Sequence, residues 1–321
     1  MAPLAAILLA LASLAAAAPS LSARQAITSL SSAQVSAFKP YSFYAAAGYC
    51  SPASTFGMEL WKSALLPSKY LHGFHSLTAN CNANPGFHPI ASGGDGDGVQ
   101  FWFVGVDENL GTVIVSHQGT DPTEILSLAT DIGIFQGTLD PTLFPGVSSS
   151  VGVHEGFRDE HAKTATDVLA AVQTALSQFG VKKVTMTGHS LGGAIALLDS
   201  VYLPLHITGV TFQTIVYGLP RVGNQAFADL ASVGNTRILF LLFQARSLLK
   251  GELTRSHRCI GISLGYHHPT GEVHIQDSGV WDVCPGEDNE SNLCSTGDVP
   301  NILDSDLSNH AGPYDGVEIA C

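Results

Sequence analysis

Residues 182–198 read Lys-Lys-Val-Thr-Met-Thr-Gly-His-Ser-Leu-Gly-Gly-Ala-Ile-Ala-Leu-Leu. An apolar, β-prone run stops at Gly188, a helix-prone run of small residues begins at Leu191, and Ser190 lies at the corner between them. So tight a reversal needs glycines, because a Cβ at the flanking positions would clash with neighbouring backbone. It lifts the serine hydroxyl above the sheet and points a helix amino terminus at it, where partial positive charge favours a developing anion. The stretch therefore predicts a strand, a nucleophile elbow and a helix.

A second match to Gly-x-Ser-x-Gly occurs at residues 261–265, but its surroundings differ. We find no buried strand before it, and Pro269 follows where a helix would need free N–H groups. We therefore assign the nucleophile to Ser190 alone.

Composition and the amino terminus indicate a secreted chain. Met1–Ala18 is almost wholly alanine and leucine, which is typical of a cleaved signal peptide. The remainder, residues 19–321, is long enough for one large domain and has no later apolar run of about 18 residues. All six cysteines follow residue 49, which suits an oxidising compartment.

Charge and residue spacing argue against several classes of function. The formal net charge of −13 repels nucleic acid and anionic membranes, and it suits solubility outside the cell. Neither a phosphate loop nor a zinc-ligand spacing is present, and the thirteen histidines form no pattern that selects a metal. We therefore expect a monomer with no cofactor, no metal, no nucleic-acid partner and no stable membrane anchor.

Strand-like and helix-like segments alternate along the chain, which is typical of a mostly parallel sheet with helices on both faces. Residues 33–47 are predicted to be helical, with a break or a bend at Pro40. Residues 134–153 are predicted to form a loop rich in Gly, Pro and Ser. The other predicted elements are a hairpin of strands 99–106 and 111–117, strands at 184–187 and 210–217, and helices at 159–179, 191–202 and 224–231.

Five ordered motifs are similar to those of the fungal class 3 lipases, an α/β-hydrolase family that also contains some feruloyl esterases. The resemblance covers roughly residues 40–238 and 264–321, and the ordered set is far more specific than any single motif. It implies the α/β-hydrolase fold, with a mostly parallel central sheet. The motifs are Val113-Ile-Val-Ser-His-Gln-Gly-Thr120, Val153-His-Glu-Gly-Phe157, Gly188-His-Ser-Leu-Gly192, Tyr217-Gly-Leu-Pro-Arg-Val-Gly-Asn224 and Ser308-Asn-His-Ala-Gly-Pro-Tyr314.

The resemblance also implies the catalytic residues. A serine hydroxyl is a poor nucleophile until a histidine removes its proton; Ser190 matches the nucleophile and His310 the base, whereas His268 matches a structural position. The backbone N–H of Leu191, the residue after the nucleophile, donates to the oxyanion. Thr120 matches the family's second oxyanion position, although a plain strand-end turn is the alternative.

Two structural features follow from the same resemblance. Asp121–Phe135 corresponds to the lid, whose apolar side chains would cover the serine in water and open onto lipid; an ordinary core helix has the same periodicity. Cys50 matches the partner of Cys321, and Cys284 the partner of Cys294, although sequence by itself leaves the connectivity open.

The catalytic acid of the family pattern is missing. After the strand that leads to Ile238 the family has an Asp-Pro-x-Pro-x-x-Pro loop whose Asp completes the triad, whereas residues 239–263 contain no Asp and a single carboxylate, Glu252. We hypothesise that residues 239–263 are a frame-shifted or intron-derived translation, and that residues 63–79, a second interruption, share this origin. In the chain as written, Glu252 would have to replace the Asp, and Cys81 and Cys259 are left over.

We expect a secreted serine carboxylic-ester hydrolase, most similar to a triacylglycerol lipase, that works through an acyl-serine intermediate on an ester or lipid substrate, including lipid at an oil–water interface. Two alternatives stay open: an esterase on feruloyl-type cell-wall esters, and a lipid-binding homologue impaired by the missing Asp. Rate enhancement at an oil–water interface favours the lipase, and covalent labelling of Ser190 separates both enzymes from the silent homologue.

Overall fold

The computed structural model describes residues 26–53, 83–120, 135–233, 236–243, 260–298 and 310–319, and Cys321. The strands are β1 (Thr28–Ser29), β2 (Phe87–Gly93), β3 (Trp102–Asp107), β4 (Thr112–His117), β5 (Gln136–Thr138), β6 (Gly152–His154), β7 (Lys183–His189), β8 (Thr211–Tyr217), β9 (Thr236–Phe243), β10 (Glu272–Ile275) and β11 (Trp281–Cys284). The helices are α1 (Ser32–Ser36), α2 (Lys39–Ala47), α3 (Glu155–Phe179), α4 (Leu191–His206), α5 (Gln225–Val233), α6 (Ile260–Ser263) and α7 (Ser295–Asp298).

A nine-stranded sheet organises these elements, in the order β1-β11-β10-β9-β8-β7-β4-β3-β2. Its centre, from β4 through β7, β8 and β9 to β10, is parallel, and antiparallel pairs complete both edges. The mostly parallel sheet that the sequence predicted is therefore present. Among the described residues, no helix combines the length and the apolar character needed to cross a bilayer.

Both faces of the sheet are buried, each by its own hydrophobic cluster. Along β4, Val113 and Val115 pack with α3 and α4 on one face, whereas Ile114 packs with α2 on the other. Successive side chains of a strand point to opposite faces, so a strand covered on both sides has all of its side chains buried. This explains why β3 and β4 are buried at every position.

Several local predictions need correction. The helical segment over residues 33–47 is broken, as one of its two predicted forms has it, but the break falls at residues 37–38; Pro40 stands in the first turn of α2, where proline is tolerated. The predicted loop up to Val153 contains the β5–β6 hairpin. The predicted hairpin is present as β3–β4, and α3 begins four residues earlier than predicted, at Glu155.

The first residues of the segment that interrupts the family pattern after Ile238 belong to the sheet. Leu239–Phe243 completes β9, where Leu239 pairs with Ile215 of β8 and Phe240 pairs with Glu272 of β10. Residues 244–259 and 63–79 lie outside the described residues. The chain thus leaves β9 at the same sheet edge where β7 ends at the elbow, because the two strands are parallel to β8.

Candidate active site

Ser190 lies in a strained turn between β7 and α4. Its backbone has φ 55° and ψ −121°, a left-handed conformation that a non-glycine residue rarely adopts. The turn is held by two hydrogen bonds, since Ser190 N donates to the Tyr217 carbonyl at 2.9 Å and Ala194 N donates to the Ser190 carbonyl at 3.1 Å. This geometry is that of the nucleophile elbow predicted from residues 182–198.

Glycines at positions 188 and 192 make the elbow sterically feasible. A Cβ on Gly188 would lie 2.4 Å from the carbonyl oxygen of Gly192, and a Cβ on Gly192 would lie 2.2 Å from the carbonyl oxygen of His117. Both contacts are with backbone, so no side chain can move to relieve them. The helix amino terminus therefore packs directly on the end of β4.

His310 lies beside the elbow, held by its main chain. Its carbonyl oxygen accepts hydrogen bonds from His189 Nε2 at 2.8 Å and from Tyr314 Oη at 3.1 Å. The rings of His189 and His310 are 4.5 Å apart between centroids. A Cβ on Gly218 would touch both rings, at 2.8 Å from His310 Cε1 and 2.9 Å from His189 Nε2. The candidate base thus contacts the residue that immediately precedes Ser190.

The imidazole of His310 is prepared to accept a proton. Its Nε2 is buried and has no hydrogen-bond partner among the described residues. Burial lowers the pKa of His310 to about 4, so the ring is neutral at neutral pH. A neutral imidazole with a free nitrogen is the form that a general base requires.

His189, the variable residue of the Gly-x-Ser-x-Gly motif, is locked in one tautomer. Its Nε2 faces the His310 carbonyl, which only accepts, so Nε2 carries the proton; Nδ1 then accepts from Tyr49 Oη at 2.7 Å. Burial, followed by repulsion from His310, lowers the pKa of His189 to about 3. The sequence pointed to neither His189 nor Tyr49, although Tyr49 precedes the half-cystine Cys50.

The two residues predicted for the oxyanion site lie on either side of the elbow. Leu191 is the first residue of α4, where backbone N–H groups lack intrahelical partners and the helix dipole is positive. On the other side of the elbow, the segment after β4 approaches the end of β7 closely at Gly119, where a Cβ would lie 2.4 Å from the His189 carbonyl oxygen. Thr120 follows it, and its hydroxyl is buried without a hydrogen-bond partner among the described residues. An unpartnered donor at this point suits the oxyanion position predicted for Thr120.

The catalytic acid is not among the described residues. Within the part of the chain that the structure describes, no carboxylate is hydrogen-bonded to His310. Glu252, Cys81 and Cys259 all lie outside the described residues. The rival histidine, His268, is 4% exposed and stacks on Phe240 with ring centroids 4.9 Å apart, as a structural residue does.

Of the predicted lid, Asp121–Phe135, the structure describes only the last residue. Residues 121–134 lie outside the described residues, whereas Phe135 is 68% exposed. Its carbonyl accepts a hydrogen bond from Tyr266 Oη at 3.3 Å.

Both predicted disulfides are confirmed. Cys50 is bonded to Cys321, and Cys284 is bonded to Cys294. The first bond ties the end of the described amino-terminal segment to the terminal residue, only 11 residues after His310. It therefore fixes the tail that carries the candidate base.

A serine at a strained elbow, a neutral histidine and two free donors on a mostly parallel sheet define a serine hydrolase with the α/β-hydrolase fold. The model of the family "Lipase (class 3)" matches residues 114–241. A secreted mono- and diacylglycerol lipase of Malassezia restricta is 27% identical over 234 residues, which are 72% of this chain and 70% of that one.

Two further comparisons agree. Secreted mono- and diacylglycerol lipase 3 of Gibberella zeae is 31% identical over 212 residues, covering 61% of this chain and 60% of its own. Lipase II from Rhizopus niveus superimposes with a TM-score of 0.70 over 92% of this chain and 100% of that chain; at 22% identity this likeness establishes the fold. These comparisons support the class 3 lipase family, as the motifs indicated, and with it a carboxylic-ester hydrolase.

Proposed function

We propose that the chain is a secreted lipase that hydrolyses acylglycerols through an acyl intermediate on Ser190. His310 is the base, and the Leu191 N–H and Thr120 form the oxyanion site. One observation carries the assignment of residues: the His310 ring, whose Nε2 is unpartnered among the described residues, packs against His189, the residue before Ser190 at the strained elbow.

The reaction proceeds in two halves. In the first, Ser190 Oγ bonds to the ester carbonyl carbon while its proton passes to His310 Nε2. The carbonyl oxygen becomes negative and accepts from Leu191 and Thr120. Collapse breaks the bond to the alcohol oxygen, which takes the proton from His310 and leaves as the free hydroxyl of a glycerol product. In the second half, water gives a proton to His310 while its oxygen bonds to the acyl carbon. Collapse breaks the bond to Ser190 Oγ, which takes the proton back from His310, and the fatty acid leaves.

Acylglycerols are proposed as substrates because of the names that the relatives carry. The Malassezia restricta and Gibberella zeae proteins are named mono- and diacylglycerol lipases, and one similar solved structure is named a triacylglycerol lipase. These names do not favour feruloyl esters. Partial acylglycerols are the first substrates to test, since the relatives named for them have the higher sequence identity.

Orientation of His310 has two sources in this proposal. Its main chain is held through the carbonyl by His189 and Tyr314. The imidazole itself needs a carboxylate from the segment that follows β9, where Glu252 is the available residue in the chain as written. Transcript sequencing across residues 239–263 tests this, because a message in another frame would restore an Asp loop and remove Glu252.

Secretion and a monomeric state complete the proposal. The alanine- and leucine-rich start Met1–Ala18, two disulfides and secreted relatives support export after signal cleavage. Amino-terminal sequencing of culture-medium protein and its molar mass by light scattering measure these two properties.

The decisive experiment compares substrates with the mature protein. Fatty-acid release is titrated with emulsions of monoolein, diolein and triolein and with ethyl ferulate, using Ser190→Ala as the matched control. We expect release from the oleins that Ser190→Ala abolishes, and little hydrolysis of ethyl ferulate. Hydrolysis of the ferulate alone, or olein hydrolysis that survives Ser190→Ala, would refute the proposal.

A further inference from the structure

Three buried polar side chains meet beneath the candidate active site. His117 ends β4, His161 belongs to α3 and Asp199 belongs to α4, and each is at most 1% exposed. His117 Nε2 lies 2.7 Å from Asp199 Oδ2, and His161 Nε2 lies 3.0 Å from Asp199 Oδ1. Each carboxylate oxygen thus accepts from one imidazole, so the two donors satisfy both sides of a buried charge.

The carboxyl of Asp199 is ionised throughout the neutral range. Burial by itself would raise the pKa of Asp199, but attraction and hydrogen bonds from His117 and His161 lower it to about 2. An ionised group in the core is costly once it loses a donor, so the positions of its two partners are tightly constrained.

His117 and Asp199 have the pairing of a catalytic dyad but cannot act as one. The His117 ring is sealed in the core at 1% exposure, whereas a base must reach the proton it abstracts. The pair also shares its carboxylate with His161, which packs against Phe144 and Tyr202 on the far side. Its role must therefore come from what His117 holds in place.

The backbone of His117 is part of the oxyanion side of the site. The His117 carbonyl oxygen lies close to the main chain of two other segments. A Cβ on Gly192 would be 2.2 Å from this oxygen, and a Cβ on Gly48 would be 2.9 Å from it. Two residues later, Gly119 comes so close to the His189 carbonyl that a Cβ on it would lie 2.4 Å from that oxygen, and Thr120 follows. A shift of His117 therefore moves the segment that delivers Thr120 relative to the amino terminus of α4.

We propose that Asp199 and His117 are positioning residues that set the oxyanion segment against the nucleophile helix. Asp199 lies eight residues after Leu191 in α4, about 12 Å along the axis, so its bond to His117 ties a point two turns below the elbow to the end of β4. This proposal rests on the proposed function of Ser190. It assigns a role in the transition state, where the oxyanion forms, rather than in binding.

His161 provides a matched control inside the same network. It donates to the same carboxylate from α3, but it is not part of the segment that leads to Thr120. Loss of either imidazole leaves one carboxylate oxygen of Asp199 without its donor, and both losses should lower the melting temperature. Only loss of the His117 bond should lower the turnover of folded enzyme.

The test compares His117→Phe and His161→Phe in the full mature chain. For each variant, Tm is measured by circular dichroism, and kcat and KM are measured on p-nitrophenyl butyrate. The concentration of active enzyme used for kcat is obtained by titrating Ser190 with diethyl p-nitrophenyl phosphate. We expect a kcat about 10- to 100-fold lower for His117→Phe with KM within about twofold, and a kcat within about twofold of wild type for His161→Phe.

A second pair of variants decides the matter if His117→Phe does not fold. The amide nitrogen of glutamine reaches the place of Nε2, whereas that of asparagine falls short, so His117→Gln should retain most of the turnover and His117→Asn should not. Equal kcat in the His117 and His161 variants, or in the Gln and Asn variants, would overturn the positioning role. A wild-type chain whose Ser190 does not react with the phosphate would instead overturn the proposed function and this role with it.

Discussion

Substitution of Gly192 by alanine probes the contact on which the oxyanion site depends. Gly192 and Gly193 are adjacent residues in the first turn of α4, just after Ser190. In a helix, alanine is favoured over glycine by up to about 1 kcal/mol, so both substitutions would stabilise an isolated helix. The packing of the two positions predicts opposite outcomes in this protein.

A Cβ at position 192 would lie 2.2 Å from the His117 carbonyl oxygen, whereas ordinary contact begins at 3.4 Å. The helix and the end of β4 must therefore separate by about 1 Å, and overpacking of this kind costs about 1–3 kcal/mol. A displacement of about 1 Å within a catalytic site lowers turnover by about 10²-fold. At position 193 the nearest atom, Val216 Cβ, is 3.4 Å away, which is ordinary contact.

The assay is urea unfolding together with p-nitrophenyl butyrate hydrolysis. Gly192→Ala should lower the free energy of unfolding by about 1–3 kcal/mol and kcat by about 10²-fold. Gly193→Ala should leave kcat near wild type and raise stability by up to about 1 kcal/mol. Gly192→Ala with wild-type activity, or equal damage from both substitutions, would refute the reasoning from this backbone contact.

Three further predictions concern His310 and its supports. Burial lowers the pKa of His310 to about 4, and a paired carboxylate raises it, so the midpoint at which kcat/KM on a soluble ester rises with pH should lie lower, near pH 4, in Glu252→Gln than in wild type; equal midpoints would contradict a Glu252–His310 pair. Tyr314→Phe removes a donor from the His310 carbonyl, so urea unfolding should show a loss of about 1 kcal/mol and initial rates a several-fold lower kcat, whereas an unchanged rate would contradict this. The Cys50–Cys321 bond closes 271 residues against 10 for Cys284–Cys294, so its replacement by serines should cost about 3 kcal/mol more in unfolding experiments; equal losses would disprove the estimate.

Local features of this fold were predictable from the sequence because neighbouring residues determine them. The elbow is encoded within residues 182–198, since the glycines at 188 and 192 relieve clashes with backbone close to Ser190. The β3–β4 hairpin and helices α3, α4 and α5 follow from periodicity and turn residues for the same reason. The break near Pro40 was predicted but its position was not, because proline ends a helix from within and is accommodated in the first turn of the next helix.

Long-range features were not predictable from the residues alone. Sheet order depends on the packing of whole elements, and the edge pairing of β1 with β11 joins residues 28 and 283. The Tyr49–His189 hydrogen bond spans 140 positions, and the His117–Asp199 bond spans 82. His310 was predicted as the base through its motif alone, because an isolated histidine near a carboxyl terminus carries no local signal of a base.

The most direct test of the central claim is the intact mass after treatment with diethyl p-nitrophenyl phosphate. The wild-type chain should gain a single phosphoryl adduct, located on Ser190 by peptide mapping. Ser190→Ala should gain none, and His310→Ala should react slower by several orders of magnitude. An adduct on another residue, or a His310→Ala variant that reacts as fast as wild type, would contradict the pairing of this serine with this histidine.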